Sequence, residues 1–331
     1  MPHPWTADEI LAIARSYQPA CVLIAAADLD LFDELASGPL TADEAARRVH
    51  ADLRGTTTLL DALAALELLE KRDSHYHLDA AAADLLTADH PRTVLAMVQH
   101  QGNCLRRWGR LAEAVRDGAP LERQPSIRGA DADEASFISA MHNLSVRFAD
   151  ELVGELQPLP FNHLLDIGGA SGTWTMAFLR TQPDATATLF DLPHVLPMAE
   201  QRLADAGLRD RVQLAGGDFL TNPLPAGADL AWVSAIVHQN SRAQNRRMFT
   251  AIAAALQPGG HILLRDIVME ESRTAPVAGA LFAINMLVAT EAGGTFTFAE
   301  LRDDLASAGF TDAAVVRHDE GMNSVVRARK R

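Results

Sequence analysis

A glycine-rich segment and two acidic residues in the second half of the chain have the spacing of a site for a nucleotide-like ligand. The segment, GGASG at 168–172, follows an apolar run that contains Asp166. Gly168 and Gly172 allow a close approach of the backbone to a ligand, because glycine adopts dihedral angles that a side chain forbids. Asp191 ends the next β-like run, 23 positions after Gly168. An acid at this point holds the ribose diol of a bound nucleotide in doubly wound folds.

His238 is the candidate for proton transfer. It follows the apolar run 230–234, and ligands collect at the carboxyl ends of strands in open α/β sheets. A histidine side chain is largely neutral at pH 7 and can accept a proton from a bound hydroxyl group. The sequence therefore places a candidate base at the edge of the sheet where ligands bind.

These residues need a parallel sheet to position them. Predicted strands and helices alternate in the second half of the chain, and this alternation indicates such a sheet. Strands are predicted at Leu164–Ile167, Thr186–Phe190, Val212–Gly216, Leu230–Ser234 and His261–Ile267. Helices fall between them, including Val195–Ala206 and Arg242–Leu256, and the proline and glycines of QPGG at 257–260 end the second one. Two final strands, Ala313–Arg317 and Ser324–Ala328, are expected to add an antiparallel edge.

The N-terminal half is predicted to be almost entirely helical. Leu11–Leu29 is predicted as one helix that is apolar on most of its faces, so that a partner subunit is its expected cover. Thr41 and Glu44 form a capping box at the start of a second helix. A third helix at Thr56–Leu69 precedes a short hairpin at Arg72–Leu78. This order is a winged-helix outline, and dimerisation is its expected role.

Charge argues against a nucleic-acid partner. The net charge is −14, with 43 acidic and 29 basic side chains, and this balance repels a phosphate backbone. The third helix, taken from Thr56 to Glu70, contains no lysine or arginine in this prediction, whereas a recognition helix needs cations for phosphate contacts. A transcriptional regulator is therefore disfavoured.

No signal peptide, membrane span or metal is expected. The start of the chain lacks a basic segment followed by an apolar one, and no 18-residue apolar run is evident. Cys21 and Cys104 lack metal-ligand spacing and are expected to be reduced, buried thiols. His75 and His77 have no third ligand nearby. We therefore expect a cytoplasmic protein.

The glycine-rich segment does not fit a dinucleotide site, since GxGxxG requires glycine at the positions of Ala170 and Thr173. It resembles the S-adenosylmethionine (SAM) signature of class I methyltransferases. Further motifs in order extend the resemblance over essentially the whole chain to the family-2 O-methyltransferases, which include plant phenolic, hydroxyindole and bacterial polyketide enzymes. The motifs are LDIGGASG at 165–172, FDLP at 190–193, GDF at 217–219, VH at 237–238 and LQPGG at 256–260.

The resemblance implies an α/β fold with a winged-helix-like, all-helical dimerisation domain at 1–100 and a Rossmann-like class I methyltransferase domain at 161–331. Connecting helices at 101–160 are expected to contribute to the acceptor pocket. It also implies a homodimer that uses SAM, releases S-adenosylhomocysteine (SAH) and methylates a hydroxyl group of a small aromatic or polyketide-like acceptor. Neither a nucleic acid nor a membrane is an implied partner.

Residue roles also follow from the resemblance. The matching histidine, His238, is implied as the general base, and Asp266 as the acid that orients it. SAM contacts are carried over to Gly168, Gly172, Asp191, Leu192, Asp218, Phe219 and Ser234, the last of which replaces a lysine common in plant relatives. Aromatic and methionine side chains suit a flat apolar acceptor, and the expected pocket residues are Trp108, Met141, His142, Phe282, Asn285 and Met286.

Departures from the family pattern leave alternatives open. His238 is followed by Gln239 and Asn240, where the family usually has Asp-Trp. Phe296 stands where many relatives have a second catalytic acid, and Glu291, upstream of it, is a candidate replacement. C- or N-methylation on the same fold therefore stays open, as does a SAM-binding protein that no longer transfers a methyl group.

Overall fold

The computed structural model describes residues 3–331 of the chain. Its α-helices are α1 (Ala7–Arg15), α2 (Tyr17–Asp28), α3 (Leu31–Ala36), α4 (Ala42–Arg48), α5 (Leu53–Ala65), α6 (Ala80–Leu86), α7 (Leu95–Trp108), α8 (Leu111–Asp117), α9 (Ala130–Val146), α10 (Ala149–Glu155), α11 (Thr173–Thr181), α12 (Leu196–Asp205), α13 (Arg242–Ala255), α14 (Val277–Ala289) and α15 (Phe298–Ser307). Its strands are β1 (Leu40–Thr41), β2 (Leu69–Arg72), β3 (His75–Leu78), β4 (His163–Ile167), β5 (Thr186–Asp191), β6 (Val212–Gly216), β7 (Ala228–Ser234), β8 (Leu256–Asp266), β9 (Val268–Met269), β10 (Phe296–Thr297), β11 (Phe310–Arg317) and β12 (Ser324–Lys330).

These elements form two compact units. The first comprises the described residues up to Arg106 together with Arg123–Leu144, and the second comprises Arg107–Glu122 and Ser145–Arg331. The first unit is helical with a small antiparallel sheet in the order β1-β3-β2. The hairpin of β2 and β3 confirms the predicted wing, and the capping box of Thr41 and Glu44 is present at the start of α4.

The predicted single helix at Leu11–Leu29 is wrong, because the structure has two helices, α1 and α2, that meet at Ser16. Pro19 lies in the first turn of α2 and has no backbone N–H to continue the ladder. No residue of α1 is buried in the chain. Although we expect no membrane span, the stretch Ala7–Asp28 is long and apolar enough to cross a membrane by length and composition alone, a test that helices of soluble proteins also pass.

The boundaries of the third predicted helix also need correction. Helix α5 begins at Leu53, because the Asp52 side chain caps it by accepting a hydrogen bond from the Gly55 N–H (2.9 Å). It ends at Ala65. The helix therefore contains Arg54, so the expectation that it carries no basic residue is wrong. The net charge of −14 still disfavours a nucleic-acid partner.

The second unit contains a seven-stranded sheet in the order β11-β12-β8-β7-β4-β5-β6. The five strands from β8 to β6 run parallel, and β12 is antiparallel to both β8 and β11, which confirms the predicted antiparallel edge. Alternate residues face opposite sides of a sheet. Accordingly, Leu164 and Trp232 belong to one buried apolar cluster, and Leu165 and Val233 belong to another.

The sheet brings the carboxyl ends of β4, β5, β7 and β8 to one edge. Ile167, at the end of β4, pairs with Phe190 on one side and Val233 on the other. Ser234 pairs with Arg265 at the ends of β7 and β8. The fold therefore gathers the predicted site at the edge where open α/β sheets bind ligands.

One strand begins earlier than predicted. Helix α13 ends at Ala255, and QPGG at 257–260 lies inside β8 rather than between a helix and a strand. The pairing of β7 with β8 is irregular between Ala228 and Leu230, so the proline and glycines form a bulge in a strand that starts at Leu256. Local composition predicts the end of the helix but not the pairing that extends the strand.

Candidate active site

The glycine-rich turn follows β4 and leads directly into α11. Gly168 has φ +68°, and its N–H donates to the Phe190 carbonyl at 2.8 Å. A Cβ at Gly168 would lie 2.6 Å from the Cδ1 of Ile236, which is too close without a shift. Gly172, at φ +76°, precedes the first residue of α11. The turn, which we call the glycine cradle, thus has no room for a side chain at Gly168, because Ile236 already occupies that position.

Asp166 lies in β4, just before the turn, and contacts the helix that follows the turn. It is buried in β4, and its Oδ2 accepts a hydrogen bond from the Thr175 hydroxyl on α11 at 2.6 Å. Burial raises the pKa of Asp166 from 3.8 to about 7, and the nearby charge of Asp191 acts in the same direction. The side chain therefore joins the strand to the helix that follows the turn.

Asp191 joins the end of β5 to the same turn. Its Oδ2 accepts a hydrogen bond from the Ala170 N–H and its Oδ1 accepts one from the Leu192 N–H, both at 2.7 Å. Burial raises the pKa of Asp191. Each carboxylate oxygen can accept more than one hydrogen bond, so a ribose hydroxyl could still bind. The glycine cradle and this acid together fit an adenosyl group.

The other predicted cofactor residues lie at strand ends around this turn. The Oδ1 of Asp218 accepts a hydrogen bond from the Leu220 N–H at 2.8 Å, within its own loop after β6. Phe219 packs against the cluster that contains Phe190, and Leu192 is 43% exposed. An exposed apolar side chain beside the cradle suits contact with a flat ring.

Ser234 has a hydrogen-bond partner, Arg265, that is not predicted from the sequence. Its hydroxyl accepts a hydrogen bond from the Nη1 of Arg265 at 3.0 Å. Arg265 is buried between the rings of Trp174 and Phe148, and burial lowers its pKa to about 10. Its Nε and Nη2 donate to Asn323. A basic residue directly after the apolar run 262–264 is the signal that could have identified it.

His238 and Asp266 form a buried pair. The Nδ1 of His238 lies 2.9 and 3.0 Å from the two carboxylate oxygens of Asp266, and the His238 backbone N–H donates to Oδ2 at 3.2 Å. The side chains are 8% and 5% exposed. Because a carboxylate only accepts, we assign the ring proton to Nδ1, which leaves the lone pair on Nε2. The pair can hold a histidine ready to accept a proton.

Aromatic side chains lie next to this pair in the second unit. The ring of Phe282, on α14, meets the His238 ring edge-on at a centroid distance of 4.8 Å. One turn further along α14, the Oδ1 of Asn285 accepts a hydrogen bond from the Trp108 indole at 3.0 Å. Met286 is buried on the same helix. These four predicted pocket residues therefore share one unit with the histidine.

The remaining predicted residues are placed differently. Met141 and His142 lie on α9, in the first unit. Glu291 is exposed, and Phe296 packs against the core. Of the glycine pair next to Glu291, Gly293 is required by space, because a Cβ there would lie 2.5 Å from the His238 carbonyl oxygen, whereas a Cβ at Gly294 would meet nothing within 4 Å.

Comparison with known proteins identifies the family of the chain. An O-methyltransferase domain matches residues 108–311, and an O-methyltransferase dimerisation domain matches residues 13–88. The chain is 34% identical to 3-hydroxy-5-methyl-1-naphthoate 3-O-methyltransferase of Streptomyces sahachiroi over 310 residues, which is 92% of this chain and 90% of the relative. It is also 34% identical over 313 residues to the tetracenomycin polyketide synthesis 8-O-methyl transferase TcmO of Streptomyces glaucescens, covering 92% and 91%.

The name of another relative specifies N-methylation rather than O-methylation. The chain is 30% identical over 314 residues to the N,N-dimethyltransferase OxyT of Streptomyces rimosus, covering 92% and 90% of the two chains. Among solved structures, human N-acetylserotonin methyltransferase in complex with SAM superposes with a TM-score of 0.84 at 28% identity, covering 100% of this chain and 99% of the other. The dimerisation match begins at residue 13 and therefore includes all of α2 and the end of α1.

Proposed function

Since the chain belongs to the O-methyltransferase family, we propose that it methylates a hydroxyl group on a small, flat aromatic or polyketide-like molecule, with His238 as the general base. It is a SAM-dependent methyltransferase, and SAH is its product. The observation that carries the assignment of the base is the buried contact between His238 and Asp266, which leaves Nε2 as the acceptor.

The cofactor is held by the turn and the strand ends around it. Gly168 and Gly172 give the backbone access to SAM, and Asp191 accepts hydrogen bonds from the ribose. Leu192, Asp218, Phe219 and Ser234 surround the adenine. When bound, SAM supplies a methyl group on a positively charged sulfur, which is already a good leaving group. The protein's remaining task is to align the acceptor, exclude water and remove a proton.

His238 removes that proton. The acceptor hydroxyl gives its proton to Nε2 as its oxygen takes the methyl group, so that neutral histidine becomes imidazolium. Asp266 accepts the hydrogen bond from Nδ1–H and stabilises the positive charge that forms on the ring. Burial of both side chains strengthens this interaction, because little water competes with it.

The acceptor lies against the aromatic residues beside the base. Phe282 is in contact with the His238 ring, and Trp108 holds the Oδ1 of Asn285. The amide nitrogen of Asn285 then remains to donate a hydrogen bond to an acceptor oxygen. Met286, buried on the same helix as Phe282 and Asn285, completes the part of the proposed pocket that lies in the second unit. Two relatives whose names specify O-methylation of a naphthoate and of a polyketide support this acceptor class.

The family's dimerisation domain is present at 13–88, and we propose a cytoplasmic homodimer that binds neither nucleic acid nor membrane and needs no metal. The net charge of −14 supports the absence of a nucleic-acid partner. We further propose the domain limits 1–100, 101–160 and 161–331 for the dimerisation domain, the connecting helices and the methyltransferase domain.

Methyl transfer from isotopically labelled SAM to matched pairs of acceptors tests the proposal. Each pair has one aromatic skeleton with either a hydroxyl or an amino group, beginning with a hydroxynaphthoate and the corresponding aminonaphthoate. We expect label on the oxygen of the hydroxyl member, identified by mass spectrometry of the product. Labelled carbon, or no labelled product while SAM binds, would contradict O-methylation.

N-methylation is the second candidate, favoured by the similarity to OxyT. An amine is already nucleophilic once neutral, so a base is less important for its methylation. Label on the aminonaphthoate alone, unaffected by His238→Ala, would favour this function over the first.

A further inference from the structure

The short turn Val237–Gln239, which carries His238, is held by hydrogen bonds from three other elements. Asp266 accepts from the His238 backbone N–H, as described above. The Gly294 N–H donates to the His238 carbonyl at 2.8 Å. The third contact comes from α13, where the Nδ2 of Asn245 donates to the Val237 carbonyl at 3.0 Å. The first two contacts bind His238 itself, and the third binds the residue before it.

Asn245 is a buried amide whose hydrogen bonds point at this loop. It is 1% exposed, and its Oδ1 accepts a hydrogen bond from the Nδ2 of Asn240 at 3.2 Å. Asn240 is itself 5% exposed and lies two residues after His238. A buried amide is costly unless it is hydrogen-bonded. Here both ends of the Asn245 side chain bind the loop around the histidine.

The stability of α13 does not require an asparagine at this position. Ser241 and Gln244 already form a capping box at the start of the helix. The next buried residues on α13, Met248, Phe249 and Ile252, are all apolar and fully buried. An apolar side chain at position 245 would suit that face of the helix better, but it would leave the Val237 carbonyl without this partner.

We infer that Asn245 is a positioning residue for the general base, acting through the backbone of the turn that carries His238. The inference rests on the proposed role of His238. Asp266 fixes the rotation of the ring, and Asn245 fixes the place from which the ring projects. Asn240 donates a hydrogen bond to Asn245, and we call these two side chains the clamp. A base displaced by about 1 Å can lose about 100-fold in rate, so the clamp matters to turnover.

A double-mutant cycle tests this role. Turnover of the best phenol from the labelled panel and the Kd for SAM are measured for Asn245→Ala, His238→Ala and the double variant. We expect Asn245→Ala to lower kcat about 10- to 100-fold, with a Kd for SAM within about twofold of the parent. In the His238→Ala background the same substitution should change kcat less than about twofold, because its effect passes through the missing side chain.

Two further variants separate positioning from folding. Ile252→Ala removes a fully buried side chain two turns along the same helix, and it should lower the melting temperature without a comparable loss of kcat. Asn240→Ala removes only the hydrogen bond between Asn240 and Asn245. It replaces Asn245→Ala in the test if that variant does not fold. We expect it to lower kcat by a smaller factor, which also disappears in the His238→Ala background.

The outcomes distinguish this inference from the proposed function. Equal losses from Asn245→Ala in both backgrounds, or unchanged kcat in Asn245→Ala and Asn240→Ala, would overturn the positioning role alone. A loss of kcat in Ile252→Ala as large as in Asn245→Ala would also overturn it, since general destabilisation would then explain the effect. Parental kcat in the single variant His238→Ala would overturn the base assignment, and the positioning role with it.

Discussion

Asp191 is the side chain that joins two strand ends, since its carboxylate accepts hydrogen bonds from the turn after β4 and from the backbone after β5. It therefore orders the turn, and in the proposed site it also presents oxygen to a ribose. Backbone donors satisfy part of its charge before any ligand arrives. This arrangement makes the acid rigid at the point where hydrogen bonds to a diol must form.

Replacing Asp191 with asparagine should weaken SAM binding by about 1.5–3 kcal/mol, the usual contribution of hydrogen bonds to a charged group. The substitution keeps the size of the side chain but removes its charge and one acceptor oxygen. Calorimetry with SAM measures the loss, and Asp210→Asn, at an exposed position, is the matched control. Equal affinity in the two variants would remove Asp191 from the ribose site.

The paired residues His238 and Asp266 could be predicted from the sequence because the family resemblance supplies both of them, whereas residues that only their partners identify could not be predicted. His238 and Asp266 each stand at a strand end, and the structure joins them at 2.9 Å. Arg265 depends on Ser234 and Asn323, which lie 31 and 58 positions away. Asn245 looks like an ordinary polar residue of an amphipathic helix until the loop before it is placed.

At the scale of elements, the glycine turn between β4 and α11 depends on space as well as on backbone angle. Gly207 has the same φ as Gly168, +68°, but a Cβ there would meet nothing within 4 Å. The two glycines therefore separate the cost of the left-handed conformation from the cost of crowding.

Alanine at Gly207 should lower the free energy of unfolding by about 1–2 kcal/mol, the cost of the left-handed conformation for a residue with a Cβ. Alanine at Gly168 should lower it at least as much and also weaken SAM binding about tenfold or more, because the new methyl group must displace the Ile236 side chain and disturb the turn. Denaturation and calorimetry on both variants measure these effects. Unchanged SAM affinity in folded Gly168→Ala would show that the turn does not line the cofactor site.

The junction of β4 and α11 should also depend on pH. Burial raises the pKa of Asp166 from 3.8 to about 7, so the folded state keeps a proton that the unfolded state has lost. The stability that this proton provides is complete below about pH 4 and is lost as the pH rises through about 7. Asp166→Asn keeps the shape of the side chain but cannot ionise.

Thermal unfolding of the parent and Asp166→Asn at several values between pH 5 and pH 8 checks this. The melting temperature of the parent should fall relative to that of the variant as the pH rises. The other ionisable groups are common to the two proteins, and of those that act on Asp166 by charge only Asp191 responds directly to the substitution. A constant difference across this range would show that Asp166 is not protonated in the folded state.

Local sequence patterns predict some boundaries of the helices and strands but not others. The capping box of Thr41 and Glu44 places the start of α4 correctly, because the whole box is contained within four residues. The break between α1 and α2, at Ser16, depends on Pro19, which lies three residues later. The bulge at 257–260 depends on pairing with β7, which no local pattern encodes.

At the scale of the whole molecule, the first unit exposes an apolar face on α1 and at the start of α2. Ile10 and Ile13 of α1 are 51% and 59% exposed, and Tyr17, the first residue of α2, is 54% exposed. Monomeric soluble proteins rarely expose contiguous apolar patches of large area, and the family's dimerisation domain includes part of this face. A second copy of the chain is the cover that we propose.

We expect the protein to sediment at micromolar concentration as a species of twice the 35.7 kDa chain mass. The double substitution Ile10→Asp, Ile13→Asp should shift it toward the monomer, because two carboxylates in an apolar interface lose hydration. Val316→Asp, at a 38% exposed position of β11, is the control and should remain dimeric. A monomeric parent, or a dimer unaffected by the double substitution, would contradict this interface.

The central claim is that His238 accepts the proton of the acceptor hydroxyl, and the most direct test is the turnover of His238→Ala. The measurement uses the phenol methylated best in the labelled panel, with the SAM affinity of the same preparation. We predict a loss of about 10²–10⁴ in kcat, the usual size of general-base catalysis, with SAM affinity nearly unchanged. Asp266→Asn should lose less, because a histidine without its orienting carboxylate still accepts a proton. Turnover close to that of the parent in His238→Ala, at saturating SAM, would contradict the account.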